Sequence, residues 1–328
     1  MPNLVELLGP LDGSRIVISG GTGFVGQWLV NALAFAQSNS SLRFEIDVIS
    51  RFGKNISPFN PEITKSLNWI EKDFTLDTEK LEKSYSHYIL GSTPSVSSRG
   101  SGNLALVRDA TINGTTSVLE SIRPQSELAR VINLSSGAAD SLELSEPDFD
   151  ISLCPPEHFA TPNLNYSHAK LQSERIVNQA NENGSINGCN LRLYAFAGPL
   201  LALDEHFAIG NFMNNALNRL PIDIKGNSLT LRSYMYPTDL VNWILKVLVS
   251  DEIGTFNVGN PSAITIGDLA CKISKLTSQT NVNYPSREGE FTSYFPTTAF
   301  TEEVFDLKLE VDLETAILRW WNWLNTNN

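Results

Sequence analysis

The run Arg15-Ile16-Val17-Ile18-Ser19 has the apolar, β-branched character of a short buried strand. It leads directly into Gly20-Gly21-Thr22-Gly23-Phe24-Val25-Gly26 and then a helical stretch, Gln27 to Ala36. Strand, glycine turn and helix in that order limit the fold more than anything else in the chain, because this is the opening of a parallel βαβ unit that takes a dinucleotide. Gly20 permits the tight turn, Gly23 lets the backbone come close to a pyrophosphate, and Gly26 lets helix and strand pack. Thr22, Phe24 and Val25 complete the turn, and the N–H groups at the helix start face the anion. The second strand, Phe44 to Ser50, ends in Arg51. A carboxylate there would bind ribose hydroxyls, whereas a guanidinium suits a 2′-phosphate, so Arg51 favours NADP, with NAD as the alternative. Asp47 lies too early in the strand to be that carboxylate.

Further along, Asn165-Tyr166-Ser167-His168-Ala169-Lys170 opens the amphipathic run Leu171 to Ala180. Tyr166 and Lys170 are four residues apart, on one face of one helical turn. An ammonium beside a phenol draws its pKa down from about 10, so the phenol can exchange a proton while hydride moves at a carbinol carbon. Taken alone, such a pair is more often a surface tyrosine near a lysine. The order of motifs along the chain gives it weight.

Taken together, these residues resemble an extended short-chain dehydrogenase/reductase of the nucleotide-sugar epimerase, dehydratase and reductase group, and the resemblance runs almost end to end. Its motifs are Ser19 to Gly26, Asp73-Phe74 after the third strand, Asn113-Gly114-Thr115 in a helix, Leu134-Ser135-Ser136 closing the fifth strand, and Tyr166 with Lys170. The resemblance implies that Asp73, with Phe74, meets the adenine and that Ser136 holds the reacting sugar oxygen. Lys170 would bind the nicotinamide ribose, with Asn113 supporting it through water. On the substrate side it implies Asn211, Arg232 and Arg287, the two guanidiniums gripping a diphosphate, with His206 just ahead of the Asn211 segment. Ala195 departs from the pattern, since many members have an asparagine there that touches the sugar phosphate. Asp140 stands where members usually have a second tyrosine.

Ser136 is followed by Gly137-Ala138-Ala139, with no acid before Asp140. Dehydration needs carboxyl groups beside the serine, and the glutamate that resembling decarboxylases carry in this stretch is missing too. Two reactions then need only Ser136, Tyr166, Lys170 and a nicotinamide: reduction of a 4-keto (6-deoxy) sugar, ranked first, and NAD-dependent 4-epimerisation. A non-catalytic NADP-binding sensor is a third reading, which the intact trio argues against.

The expected fold class is α/β, a Rossmann-type doubly wound parallel sheet with a smaller C-terminal substrate lobe. Residues 1–198 form the cofactor domain, with a return segment at about 234–262; 199–233 and 263–328 form the substrate lobe. The 328 residues carry a net charge of −12, which disfavours nucleic acid. The anionic substrate therefore needs a local basic pocket, for which Arg51, Lys170, Arg232 and Arg287 are candidates. Three scattered cysteines and four histidines point to a reducing compartment without structural zinc. No apolar run reaches membrane-spanning length and the start lacks a signal pattern, so the expected location is the cytoplasm, with no membrane partner. The resemblance implies a homodimer. The segment Gly137 to Leu164 is expected to be a loop over the site, and of Trp320, Trp321 and Trp323, two are expected to pack inward.

Overall fold

The computed structural model describes residues 4–51, 67–74, 80–93, 104–122, 127–140, 162–204, 207–287 and 289–327. They divide into two compact units, residues 1–193 with 241–256 and residues 194–240 with 257–328. The first division therefore falls at the end of a strand, ahead of the expected position after Gly198.

In the first unit the strands are β1 (Arg15–Ser19), β2 (Glu45–Ser50), β3 (Asn68–Glu71), β4 (His87–Leu90), β5 (Arg130–Ser136) and β6 (Asn187–Leu193). With β9 (Gly254–Val258) they give a sheet of order β3-β2-β1-β4-β5-β6-β9. The pairings from β3 to β6 are all parallel. The order reverses between β1 and β4, and in such sheets ligands bind outside the carboxyl ends of the strands at that reversal. All seven residues of β5 are buried, as expected for a central strand covered on both faces.

The helices of this unit are α1 (Leu4–Leu7), α2 (Phe24–Ser38), α3 (Leu104–Glu120) and α4 (Pro162–Glu182). The amino-terminal stretch buries Leu4, Leu8 and Leu11 against the first unit. Helix α4 starts with proline, which suits the first helical position. Two residues past its end at Glu182, Gly184 has a φ of +63°, the left-handed stop that glycine adopts without strain. Its fully buried stripe Ala169, Ser173 and Val177, spaced by four, is the face turned to the sheet. Of the expected loop Gly137 to Leu164, residues 137–140 make a helical turn and 162–164 belong to α4; the remainder lies outside the described residues.

The second unit contains α5 (Ala208–Leu217), α7 (Ile266–Leu276), α8 (Ala299–Phe305) and α9 (Leu313–Asn327). Helix α6 (Pro237–Leu248) begins in this unit and ends in the first. The short strands β7 (Ile222–Asp223), β8 (Leu231–Arg232), β10 (Ile264–Thr265), β11 (Val282–Asn283) and β12 (Ser293–Tyr294) form two small sheets, β10-β8-β12 and β11-β7. One apolar cluster joins Ile209, Phe212, Leu269, Ile273, Ile317 and Trp320. Trp320 alone of its trio is fully buried, while Trp321 and Trp323 are partly buried against the same cluster, because a helix turns successive residues to different sides. Among the described residues no helix is long and apolar enough to cross a membrane.

Candidate functional site

The glycines of the first turn separate into two kinds. Gly20 has a φ of +75°, and a Cβ there would come within 2.3 Å of the Gly91 carbonyl oxygen, so turn shape and the neighbouring strand both demand glycine. A Cβ on Gly26 would sit 2.3 Å from the Gly20 oxygen and 2.6 Å from the Gly21 Cα, which would push α2 off the turn. Gly23 differs. Its φ of −75° suits any residue, and among the described residues an added Cβ would meet only the Gly20 oxygen, at 3.4 Å. Neither backbone nor packing among the described residues requires a glycine there. It is exposed and stands at the N-cap of α2, where a glycine offers no side-chain cap of its own. A small exposed residue at a helix start suits the pyrophosphate of a dinucleotide. Thr22 contributes its carbonyl to Gln27 Nε2 at 3.0 Å, and Phe24 and Val25 are half-buried at the helix start.

The other candidate cofactor residues lie at the carboxyl ends of the next strands. Arg51 follows β2 and is half-buried. Asp73 stands two residues past β3, also half-buried, while Phe74 turns into the core with its ring 3.4 Å from the Cβ position of Gly114 in α3. Phe74 therefore fixes the backbone around Asp73 by packing. Asn113, on the same helix, is half-buried. Asp47 is accounted for inside the sheet, accepting hydrogen bonds from Asn68 (2.9 Å), Lys83 (2.9 Å) and Tyr85 (2.7 Å).

Ser136 is the last residue of β5, buried, with its Oγ accepting from the Ala138 N–H at 3.2 Å. Tyr166 is half-buried, and the buried Lys170 carries its Nζ 5.9 Å from the Tyr166 ring centre. That ammonium donates to the Leu134 carbonyl at 2.7 Å, which fastens the lysine of α4 to the end of β5. The two residues expected as a pair from their spacing lie side by side on α4, with Lys170 tied to the strand whose end carries Ser136.

Two residues of this region, Glu174 and Arg192, are not marked by the sequence motifs. Glu174 takes a forked contact from Arg192, Nε at 3.0 and 3.2 Å and Nη2 at 2.7 Å, and accepts a short hydrogen bond from Ser135 Oγ. The other arm of Arg192, Nη1, reaches Asp140 at 2.8 Å. Glu174 extends the 166, 170 stripe of α4 by one more turn, a signal that was available in the spacing. Asp140, seen only as a departure from the family pattern, is a partner of Arg192.

In the second unit, Arg232 is half-buried in β8 and donates to the Leu231 carbonyl at 2.7 Å and to Thr292 Oγ1 at 2.9 Å. Partial burial lowers its pKa. Arg287 is exposed in the bend between β11 and β12, and Asn211 is half-buried in α5. His206 lies outside the described residues.

Comparison with known proteins places this geometry. UDP-glucuronic acid decarboxylase 2 of Arabidopsis thaliana is 22% identical over 281 residues, covering 84% of this chain; the chain spans 59% of that protein's length. Among solved structures, UDP-N-acetylglucosamine 4-epimerase from Methanobrevibacter ruminantium M1, in complex with UDP-N-acetylmuramic acid, has a TM-score of 0.76 at 20% identity. That match covers 96% of this chain and 99% of the other. The Bordetella bronchiseptica enzyme WbmF, in complex with NAD+ and UDP, gives 0.75 at 17% identity, with 97% and 93% covered. These two likenesses establish the Rossmann-type fold. Residues 16–259 match the NAD dependent epimerase/dehydratase family, and the chain belongs to that family.

Proposed function

We propose that the chain is an NAD(P)-dependent oxidoreductase acting on a nucleotide-diphosphate sugar, and that its reaction is reduction of a 4-keto (6-deoxy) sugar. The observation that carries this reading is the fastening of Lys170, which lies beside the Tyr166 ring, to the strand whose end bears Ser136. A nicotinamide dinucleotide, when bound, supplies the hydride. Gly20, Thr22, Gly23, Phe24, Val25 and Gly26 would hold its pyrophosphate, Asp73 its adenine and Lys170 its nicotinamide ribose. Arg51 would take the 2′-phosphate of NADP.

At the substrate, the Ser136 hydroxyl would hydrogen-bond the sugar carbonyl oxygen and the Tyr166 phenol would protonate it as the carbon gains hydride. The proton then returns to the phenol from water. Lys170, with Asn113 supporting it, keeps positive charge beside the phenol and so favours the ionised form left after transfer. Arg232 and Arg287 would bind the diphosphate, and Asn211 and His206 would contact the substrate. Elimination and decarboxylation are disfavoured, because Gly137, Ala138 and Ala139 offer no acid and Asp140 is engaged by Arg192.

Epimerisation through a transient 4-keto sugar uses the same residues and is the second reading. Solved structures of similar fold include a UDP-N-acetylglucosamine 4-epimerase and an NAD+ complex of WbmF, which favours it. The cofactor on the purified protein separates the two. Retained NAD with interconversion of 4-epimers selects epimerisation, whereas an NADP-loaded or empty site with NADPH oxidation by a 4-keto sugar selects reduction. In either case Tyr166→Phe is expected to lower turnover by at least about a hundredfold with unchanged thermal stability. Undiminished turnover in that variant removes the proton-donor assignment.

A further inference from the structure

Ser135 and Arg192 face each other in the register of β5 and β6, so their side chains leave the sheet on the same side, where α4 brings Glu174. Glu174 accepts from Ser135 and from both Nε and Nη2 of Arg192; Arg192 Nη1 then reaches forward to Asp140. A closed ring results. Its non-covalent part runs Ser135, Glu174, Arg192, Asp140, and its covalent part is the chain from 135 to 140. Ser136 lies inside that covalent arc, with one neighbour tied to α4 and the helical turn after it tied to β6. Glu174 itself stands one turn beyond Lys170 and two beyond Tyr166 on the same helix, so the ring also joins Ser136 to the helix that carries the phenol.

Burial makes the ring stiff. The side chain of Arg192 is 9% exposed and that of Glu174 4%, and a forked guanidinium-carboxylate contact fixes orientation as well as distance. Asp140 is 25% exposed, so it can lose its partner without stranding a charge in the core. We propose that Asp140, acting through Arg192 and Glu174, is a positioning residue: it holds the turn after β5 so that the Ser136 hydroxyl keeps its place relative to Tyr166. The catalytic consequence rests on the oxidoreductase reading above, whereas the geometric claim stands without it.

The test uses Asp140→Ala and Asp140→Asn in the full chain. Loss of the clamp is expected to lower kcat by about ten- to a hundredfold, the cost of a misplacement near 1 Å, with KM for the nucleotide sugar, cofactor affinity and melting temperature close to wild type. Asp140→Asn keeps an oxygen for Nη1 and is expected to recover most of the rate. In a crystal structure of Asp140→Ala, Ser136 Oγ is expected to shift relative to the Tyr166 hydroxyl. Superposable Ser136 and Tyr166 overturn the proposal whatever the activity, as does unchanged kcat in Asp140→Ala where wild type turns over. If wild type turns over none of a panel of UDP- and dTDP-linked sugars with NADH or NADPH, the oxidoreductase reading fails, and the crystallographic comparison still decides whether Asp140 positions Ser136.

Discussion

Two buried arginines sit at opposite ends of adjacent strands, and their partners differ in kind. Arg130 opens β5 at the amino edge of the sheet and donates to the carbonyls of Val247 (2.7 Å), Glu252 (2.7 Å) and Asn187 (3.3 Å). It also reaches Asn187 Oδ1, Ser250 Oγ and Cys189 Sγ, all neutral acceptors. Val247 lies in the last turn of α6, where the helix dipole favours a cation. Arg192, near the carboxyl end of β6, is instead held by two carboxylates beside the candidate catalytic residues. Carbonyls from several segments converging on one guanidinium join chain pieces. Carboxylates that are themselves mounted on a helix and a turn fix the direction of those elements. The amino edge thus spends its charge on cohesion and the carboxyl edge on placement.

The largest effect expected from that contrast is on stability. Arg130→Met should leave buried carbonyls without donors and cost about 3 kcal/mol or more in urea unfolding, while kcat of the folded fraction stays within about twofold. Equal losses of kcat in Arg130→Met and Asp140→Ala would dissolve the distinction. The same variant has a second readout at Cys189, whose thiol is fully buried, bonded to the Glu252 carbonyl, and pushed to a higher pKa by burial. Its alkylation should quicken in Arg130→Met.

Asp47, buried within β2, gives a smaller and pH-dependent effect. Burial alone would raise its carboxyl, but hydrogen bonds from Lys83, Tyr85 and Asn68 outweigh that and hold it below the ordinary value of 3.8. A lowered carboxylate stabilises the fold above its unfolded value, and the contribution disappears as pH falls through the lower folded one. Asp47→Asn should therefore be about 1 to 2 kcal/mol less stable at neutral pH and lose part of the decline in urea midpoint seen below about pH 4. An acid limb unchanged in the variant would show that these bonds do not set it.

The smallest effect is at the carboxyl edge again. Arg51→Glu should move the ratio of NADP to NAD affinity toward NAD by about tenfold or more. A ratio that does not move would detach Arg51 from the cofactor assignment.

Local patterns carried the first unit into view. The glycine turn with its flanking strand and helix, the apolar runs of β2, β4 and β5, and the four-residue spacing of Tyr166 and Lys170 are all features of neighbouring residues, so the sequence displays them directly. The two-residue strands of the second unit left no comparable trace, because a run that short has no period to read. The place of Phe74 beside Asp73 suggests a cofactor residue, whereas its packing against Gly114 puts its ring in the core. The role of Asp140 was invisible for a similar reason: its partner is fifty-two residues away in sequence, and side-chain pairing across a parallel sheet depends on register, which no local pattern encodes.

The amino-acid sequence by itself determined the parallel α/β class, the dinucleotide turn and the phenol-ammonium spacing, since each follows from backbone freedom or helical geometry over a few residues. Tertiary structure alone decided that Arg130 ties down one edge of the sheet while Arg192 aims groups at the other, because the worth of a buried charge is set by the groups that close around it.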